Sequence, residues 1–246
     1  IINSFFENKV PQNNIFYIKY GPPASGKGGI MSKVLKKDNI LQNTLINLEV
    51  DNIIENNTQY ITKRNNLNKQ YNIIKRSNIS NKKQLLDKIN ETKSELYYKY
   101  RGEADTISDN ILNIALLNKY NIAWETTGRT IAWTMKEIKR IKRQDYKVIL
   151  VYPLVPSEEL IIRAKQRELE TGQTPASDEI IKSDINNAIN NILKLINHVD
   201  ALYIYDNSGT KGNEKIVIEV KNMWEWTPEE SLYGAGLNRK VTCDCN

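Results

Sequence analysis

The stretch Ile15-Phe16-Tyr17-Ile18-Lys19-Tyr20-Gly21-Pro22-Pro23-Ala24-Ser25-Gly26-Lys27-Gly28-Gly29 decides the fold. Its first six residues form a β-prone, largely apolar run, and Gly21-Pro22-Pro23 ends it. Residues Gly21 to Lys27 fit G-x-x-x-x-G-K, and Ile30 to Lys37 behind them read as a helix. A glycine-rich turn between strand and helix points backbone N–H groups at an anion. The helix that follows adds its positive end. Lys27 supplies a point charge for the β- and γ-phosphates of a nucleoside triphosphate. Gly21, Pro22, Pro23, Ala24, Ser25, Gly26, Lys27, Gly28 and Gly29 are therefore the expected phosphate cradle, with ATP or a close relative as its ligand.

One departure bears on the metal. The Ser or Thr that usually follows the lysine, and whose hydroxyl ligates Mg²⁺, is Gly28 here, and Gly29 comes next. Any Mg²⁺ is then expected to be held largely through water.

Working outward, Thr44 to Val50 reads as a second strand ending at Asp51. The region of about 58–100 is rich in Asn, Lys and Gln, with Tyr60, Ile61, Leu67, Tyr71, Ile74, Leu85, Ile89 and Leu96 at helical spacings. It reads as two basic helices broken near Ser77–Ser80, with a further helix from Asp105 to Lys119. Asn121 to Trp124 is a third strand, and Ile131 to Arg143 a helix. Lys147 to Tyr152 is a continuous apolar strand, as at the centre of a parallel sheet. Ser157 and Asp178 are the expected N-caps of two more helices. Ala201 to Tyr205 is a fifth strand, and Ile216 to Val220, beyond the turn at Ser208–Gly212, its hairpin partner and an edge.

Strands alternating with helices give an α/β fold of the P-loop NTPase type: a mostly parallel five-stranded sheet, helices on both faces, and a C-terminal edge hairpin. The expected organisation is an extension (1–13), one P-loop kinase-like domain (14–222) carrying a helical insertion (58–100), and a tail with few ordering signals (223–246). In such sheets ligands bind beyond the carboxyl ends of the strands, where the motifs fall.

Composition narrows the classes. The 246 residues suit one α/β domain with an insertion. A net charge of +6 suits phosphorylated ligands. No window approaches a membrane span, so no membrane partner is expected. The opening residues lack the basic start and long apolar run of a secretory signal, and lack Met, as a trimmed product would. The two Cys, Cys243 and Cys245, make no disulfide framework, which fits a reducing, cytoplasmic location. His198 is the single His, so a His-based triad or zinc cluster is excluded. Lys136, Lys139, Arg140, Lys142 and Arg143 form a stripe read as a solvated helix face, and nucleic acid is not the expected partner.

Carboxylates stand at two strand ends. Asp51 could serve as a base for an attacking hydroxyl or as a helix N-cap, and the two roles are compatible. Glu125 could hold Mg²⁺ through its waters.

At this point the sequence resembles the zeta-toxin-type kinases. Glu125-Thr126-Thr127-Gly128-Arg129-Thr130 is similar to the E-G-T-G-R-T segment of that family. The phosphate loop, Asp51, and Val151-Tyr152-Pro153-Leu154-Val155-Pro156 before an Arg-bearing helix occur in the same order. The resemblance covers roughly residues 14–206, and 58–100 are the least alike. It implies an ATP- and Mg²⁺-dependent phosphotransferase acting on a hydroxyl of a small metabolite, UDP-N-acetylglucosamine in the family. By resemblance Asp51 is the base, and Lys27 and Arg167 contact phosphate. Asp109 stands where the family has a second substrate-facing acid, and Glu125, Thr127 and Arg129 line the substrate site. The family's further Arg is missing from Glu170-Thr171-Gly172-Gln173-Thr174-Pro175, where Arg163 could substitute. The expected partners are a nucleotide-sugar or nucleoside-like substrate and a protein antitoxin. Gly28 and the Arg-less loop keep a second reading open: a kinase fold retained for nucleotide binding or assembly without turnover.

Overall fold

A computed structural model describes residues 2–11, 13–171, 177–209, 213–223 and 238–243. Seven strands form one sheet: β1 (Ile15–Tyr20), β2 (Leu45–Leu48), β3 (Asn121–Thr126), β4 (Lys147–Leu154), β5 (Ala201–Asp206), β6 (Lys215–Met223) and β7 (Asn238–Cys243). Their order is β2-β3-β1-β4-β5-β6-β7. The first five are parallel, and β6 and β7 each join antiparallel. The mostly parallel sheet expected from the sequence is present. It has one strand more than expected: β6 pairs with β5 as anticipated, but β7 takes the edge.

The helices are α1 (Ile2–Phe6), α2 (Lys27–Lys37), α3 (Val50–Glu55), α4 (Thr58–Arg76), α5 (Lys82–Leu117), α6 (Ile131–Lys142), α7 (Ser157–Thr171) and α8 (Asp178–Leu195). Successive residues of β1 face opposite sides of the sheet. Phe16, Ile18 and Tyr20 join a core with Ile111 and Leu112 of α5, Ile138 of α6 and Ile192 of α8. Tyr17 joins the opposite core with Ile30, Val34 and Leu35 of α2. Burial on both faces explains why these strands read as largely apolar runs rather than as alternating ones.

Three local expectations are corrected. The helix expected to begin at Asp105 is the second half of α5, which runs through Gly102 without interruption. A lone helical Gly costs only about 1 kcal/mol. Buried Ile89 and Tyr100 before it and Ala104, Ser108 and Ile111 after it hold the helix on both sides of Gly102. The cap of α8 is Ser177, whose hydroxyl oxygen accepts from the Ile180 N–H at 3.3 Å, with Asp178 in the first turn. Ser157 is the first residue of α7, and its hydroxyl donates to Glu158. No helix among the described residues is long and apolar enough to cross a membrane. Trp224, Trp226, Cys245 and the side chain of Cys243 lie outside the described residues, so the Cys pair has no structural reading.

Candidate active site

The carboxyl ends of β1, β2, β3 and β4 open on one cleft of about 860 Å³. Ala24 to Gly28, Asp51, Asp109, Glu125, Thr127, Arg163 and Arg167 all line it. Residues scattered from 24 to 167 in the sequence are thus brought to one place. Of the other expected site residues, Gly21, Pro22, Pro23 and Gly29 flank this stretch of the loop without lining the cleft, and Arg129 does not line it either.

The loop after β1 owes its shape to two backbone positions in the left-handed region, Ala24 (φ 61°) and Gly26 (φ 80°). Gly26 is required for a second reason. A Cβ there would come within 2.3 Å of the Asn207 amide nitrogen, which donates to the Ser25 carbonyl at 2.7 Å. Asn207, just beyond β5, thus braces the loop from across the sheet, and no sequence motif announces it. The Ser25 hydroxyl donates to the Pro22 carbonyl at 2.8 Å. Side chains added at Gly28 or Gly29 would meet nothing within 4 Å. Among the described residues no group of three acidic, His or Cys side chains is placed to hold a metal directly.

Lys27, the first residue of α2, is buried, and its ammonium donates to the carbonyls of Gly21 (3.0 Å) and Pro22 (2.9 Å). It lies 3.3 Å from Glu125 Oε1. Burial lowers its pKa, and the Glu125 charge offsets this in part. Lys19 lies behind it on β1, only 1 % exposed. Its ammonium is hydrogen-bonded to Glu49, to Asn47 Oδ1 at 2.8 Å, and stands 3.6 Å from Glu125 Oε2. Burial would raise the Glu49 carboxyl, but Lys19 and donors from Asn47 and Asn52 hold it below its ordinary value. A lysine inside an apolar strand, two residues before the loop, was the available signal for this cluster, and the strand reading passed over it.

Asp51 is the second residue of α3, not a strand residue, and is half exposed at the cleft. It does not cap the helix; the cap position is Glu49. The Tyr97 hydroxyl of α5 donates to Asp51 Oδ1 at 2.8 Å, and Arg101 donates to Tyr97 at 2.8 Å. Arg101 also lies 3.5 Å from Asp51 and donates to Asp105 at 3.0 Å. Burial first, then the Asp51 charge, pushes the Tyr97 phenol up to about 12. Neither Tyr97 nor Arg101 belongs to a motif, so the sequence does not announce them.

On the opposite wall, α7 contributes Arg163 and Arg167. Arg163 donates to Glu159 (2.6 Å) and to the Asn207 carbonyl (2.7 Å), so it also ties α7 to the turn beyond β5. Arg167 is exposed at the cleft, and its charge reaches Lys27. The loop carrying Gly172 to Pro175, where an Arg is missing, lies outside the described residues. Trp124 and Trp133 also line the cleft, their rings 5.0 Å apart, with Trp133 45 % exposed.

Arg129 serves the scaffold. Its guanidinium makes a two-pronged pair with Asp184 of α8, at 2.6 and 2.8 Å, and Asp184 is 2 % exposed. Hydrogen bonding to Asp184 raises the Arg129 pKa. Removing the cation leaves a buried carboxylate without its counter-charge. Arg129→Met is expected to cost roughly 2–3 kcal/mol in urea unfolding. A change below about 0.5 kcal/mol, the scatter of ordinary surface substitutions, would refute a structural role.

A phosphate-type loop, a cleft with a carboxylate on one wall and arginines on the other, and this sheet define a P-loop kinase-like protein. The zeta toxin family model matches residues 76–216, and the chain belongs to that family. The fold is similar to a structure from the PezAT chromosomal toxin-antitoxin system of Streptococcus pneumoniae. That match has TM-score 0.61 and 18 % identity over 89 % of this chain and 77 % of the other. It is also similar to AvrRxo1-ORF1:AvrRxo1-ORF2 structures, one with sulphate ions and one with ATP. Each has TM-score 0.50 and 15 % identity over 89 % of this chain and 61 % of that one. No curated protein sequence matches the chain. Family and fold together support a nucleotide-dependent, kinase-type function.

Proposed function

We propose that this chain is an ATP-dependent phosphotransferase, active in the cytoplasm, whose acceptor is a hydroxyl of a small nucleotide-sugar or nucleoside-like metabolite, UDP-N-acetylglucosamine included. One observation carries the reading: Lys27, at the start of α2, and Asp51, in the first turn of α3, line a single cleft. Asp51 takes the proton of the acceptor hydroxyl. The acceptor oxygen forms a bond to the γ-phosphorus as the bond to the bridging oxygen breaks, and the electron pair leaves with ADP. Lys27 and Arg167 stand where negative charge on the phosphoryl group must be met. Magnesium, held through its waters beside Glu125 and the open flank of Gly28, would neutralise phosphate charge. Trp133 offers an exposed aromatic face to a planar ring on the acceptor. ATP in a structural relative, and the toxin-antitoxin system to which another belongs, support the nucleotide and a protein antitoxin as partners.

The test is purified protein with labelled ATP, Mg²⁺ and a broad panel of nucleotide sugars and nucleosides. A labelled product is expected, and Trp133→Ala should raise the acceptor KM about tenfold while the ATP KM holds. ATP binding without any product across the panel would instead establish the reading of a retained fold without turnover.

A further inference from the structure

Resting on the nucleotide-binding reading above, we infer that Lys19 is a positioning residue whose buried ammonium keeps Lys27 available to phosphate by drawing Glu125 away from it.

The argument is a competition for one carboxylate. Glu125 is bridged: Oε1 lies 3.3 Å from Lys27 and Oε2 lies 3.6 Å from Lys19. The two ammonium groups differ in setting. Lys27 sits at the cleft and is hydrogen-bonded to the carbonyls of Gly21 and Pro22. Lys19 is sealed beneath it and fixed by Glu49 and by Asn47 at 2.8 Å. The alternation Glu49–Lys19–Glu125–Lys27 runs across three adjacent strand ends, since β1 lies beside β3 and β3 beside β2.

In this row Glu49 alone cannot neutralise Lys19 and release Glu125, because Glu125 carries its charge to both lysines. A carboxylate paired fully with Lys27 would compete with a phosphate for the same ammonium, since both make charge-assisted hydrogen bonds. With Lys19 present, Glu125 is shared, with Oε2 turned to Lys19 and Oε1 to Lys27. Without Lys19, Glu125 keeps its contact with Lys27 and closes on it.

The experiment is calorimetric titration of the whole chain with ATP in magnesium-free buffer. Lys19→Met is expected to weaken ATP binding about tenfold. Adding Glu125→Gln to it should restore affinity to within about threefold of the starting protein, because the competitor for Lys27 is gone. Lys19→Met takes the cation from Glu49, a half-buried carboxylate that keeps its hydrogen bonds from Asn47 and Asn52, and this costs stability. Lys19→Met with Glu49→Gln removes that burden and is the folding-safe version. It should stay weak, since Glu125 still closes on Lys27. Recovery of affinity in that variant would mean that net charge alone matters and would overturn the inference. Unchanged affinity in Lys19→Met would overturn it too. If the unaltered protein binds no ATP, the parent reading falls and this one with it. A protein that binds ATP but is indifferent to Lys19 sinks this inference alone.

Discussion

Asp51→Asn is expected to lower phosphoryl transfer by about a thousandfold, within the range for loss of a general base, while ATP affinity changes by less than about twofold. The amide keeps the size of the carboxylate, and its oxygen can still accept from Tyr97. What it loses is the capacity to take a proton. The separation of effects follows from where the groups stand. Lys27 contacts the carbonyls of Gly21 and Pro22 and the Glu125 carboxylate, and none of these involves Asp51. Asp51 contacts Tyr97 and Arg101 from α5. Lys27→Met should behave differently, losing nucleotide affinity along with turnover. Single-turnover kinetics beside an ATP titration separate the two. An Asp51→Asn protein that keeps its full rate would place the base elsewhere in the cleft, and Asp109 would be the next residue to replace.

The parts of this molecule that were legible in the sequence are those written by local pattern. A parallel sheet covered on both faces needs strands apolar on both sides, so Ile15 to Tyr20, Lys19 apart, and Val148 to Tyr152 stand out as apolar runs. The loop between β1 and α2 is set by residues that are neighbours in the chain. The cleft's second layer was not legible, because it is made by contacts between strands that are far apart in sequence. Lys19 meets Glu49 and Glu125 only because β1, β2 and β3 end at the same edge, and nothing in the local sequence of any one of them records the other two. Asn207 braces the loop from the far side of the sheet for the same reason. Strand β7 is a different kind of omission. It is held to β6 by backbone pairing, which leaves little trace in side-chain identity. The expected break before Asp105 failed because a lone Gly weakens a helix less than burial of its neighbours holds it. Arg129 shows the limit of a motif. The segment from Glu125 to Thr130 lies within the stretch that the family model matches, yet its arginine is turned to Asp184, a partner that only the packing of α8 supplies.

Gly128→Ala should be among the most damaging single substitutions in the chain, costing about 4 kcal/mol in urea unfolding. Two independent obstacles add. Gly128 has φ +76°, where an L-residue costs about 1 kcal/mol or more. A Cβ there would also fall 2.2 Å from Tyr20 Cζ, inside the ring of a side chain that is fully buried. The ring cannot give way easily. Tyr20 packs against Tyr152 with centroids 6.4 Å apart, and its hydroxyl donates to the Gly128 carbonyl at 3.2 Å. Asn191 of α8 donates to the same carbonyl at 3.0 Å. The turn is therefore clamped between β1 and α8, and it carries Thr127 into the cleft. The two obstacles can be separated. In a Tyr20→Ala background the clash is gone and the backbone cost remains, so the added penalty of Gly128→Ala should fall to about 1 kcal/mol. An equal penalty in both backgrounds would mean that the ring is not what excludes a side chain at this turn. The close approach of Tyr20 would then be no part of how the segment from Glu125 to Thr130 is held at the cleft.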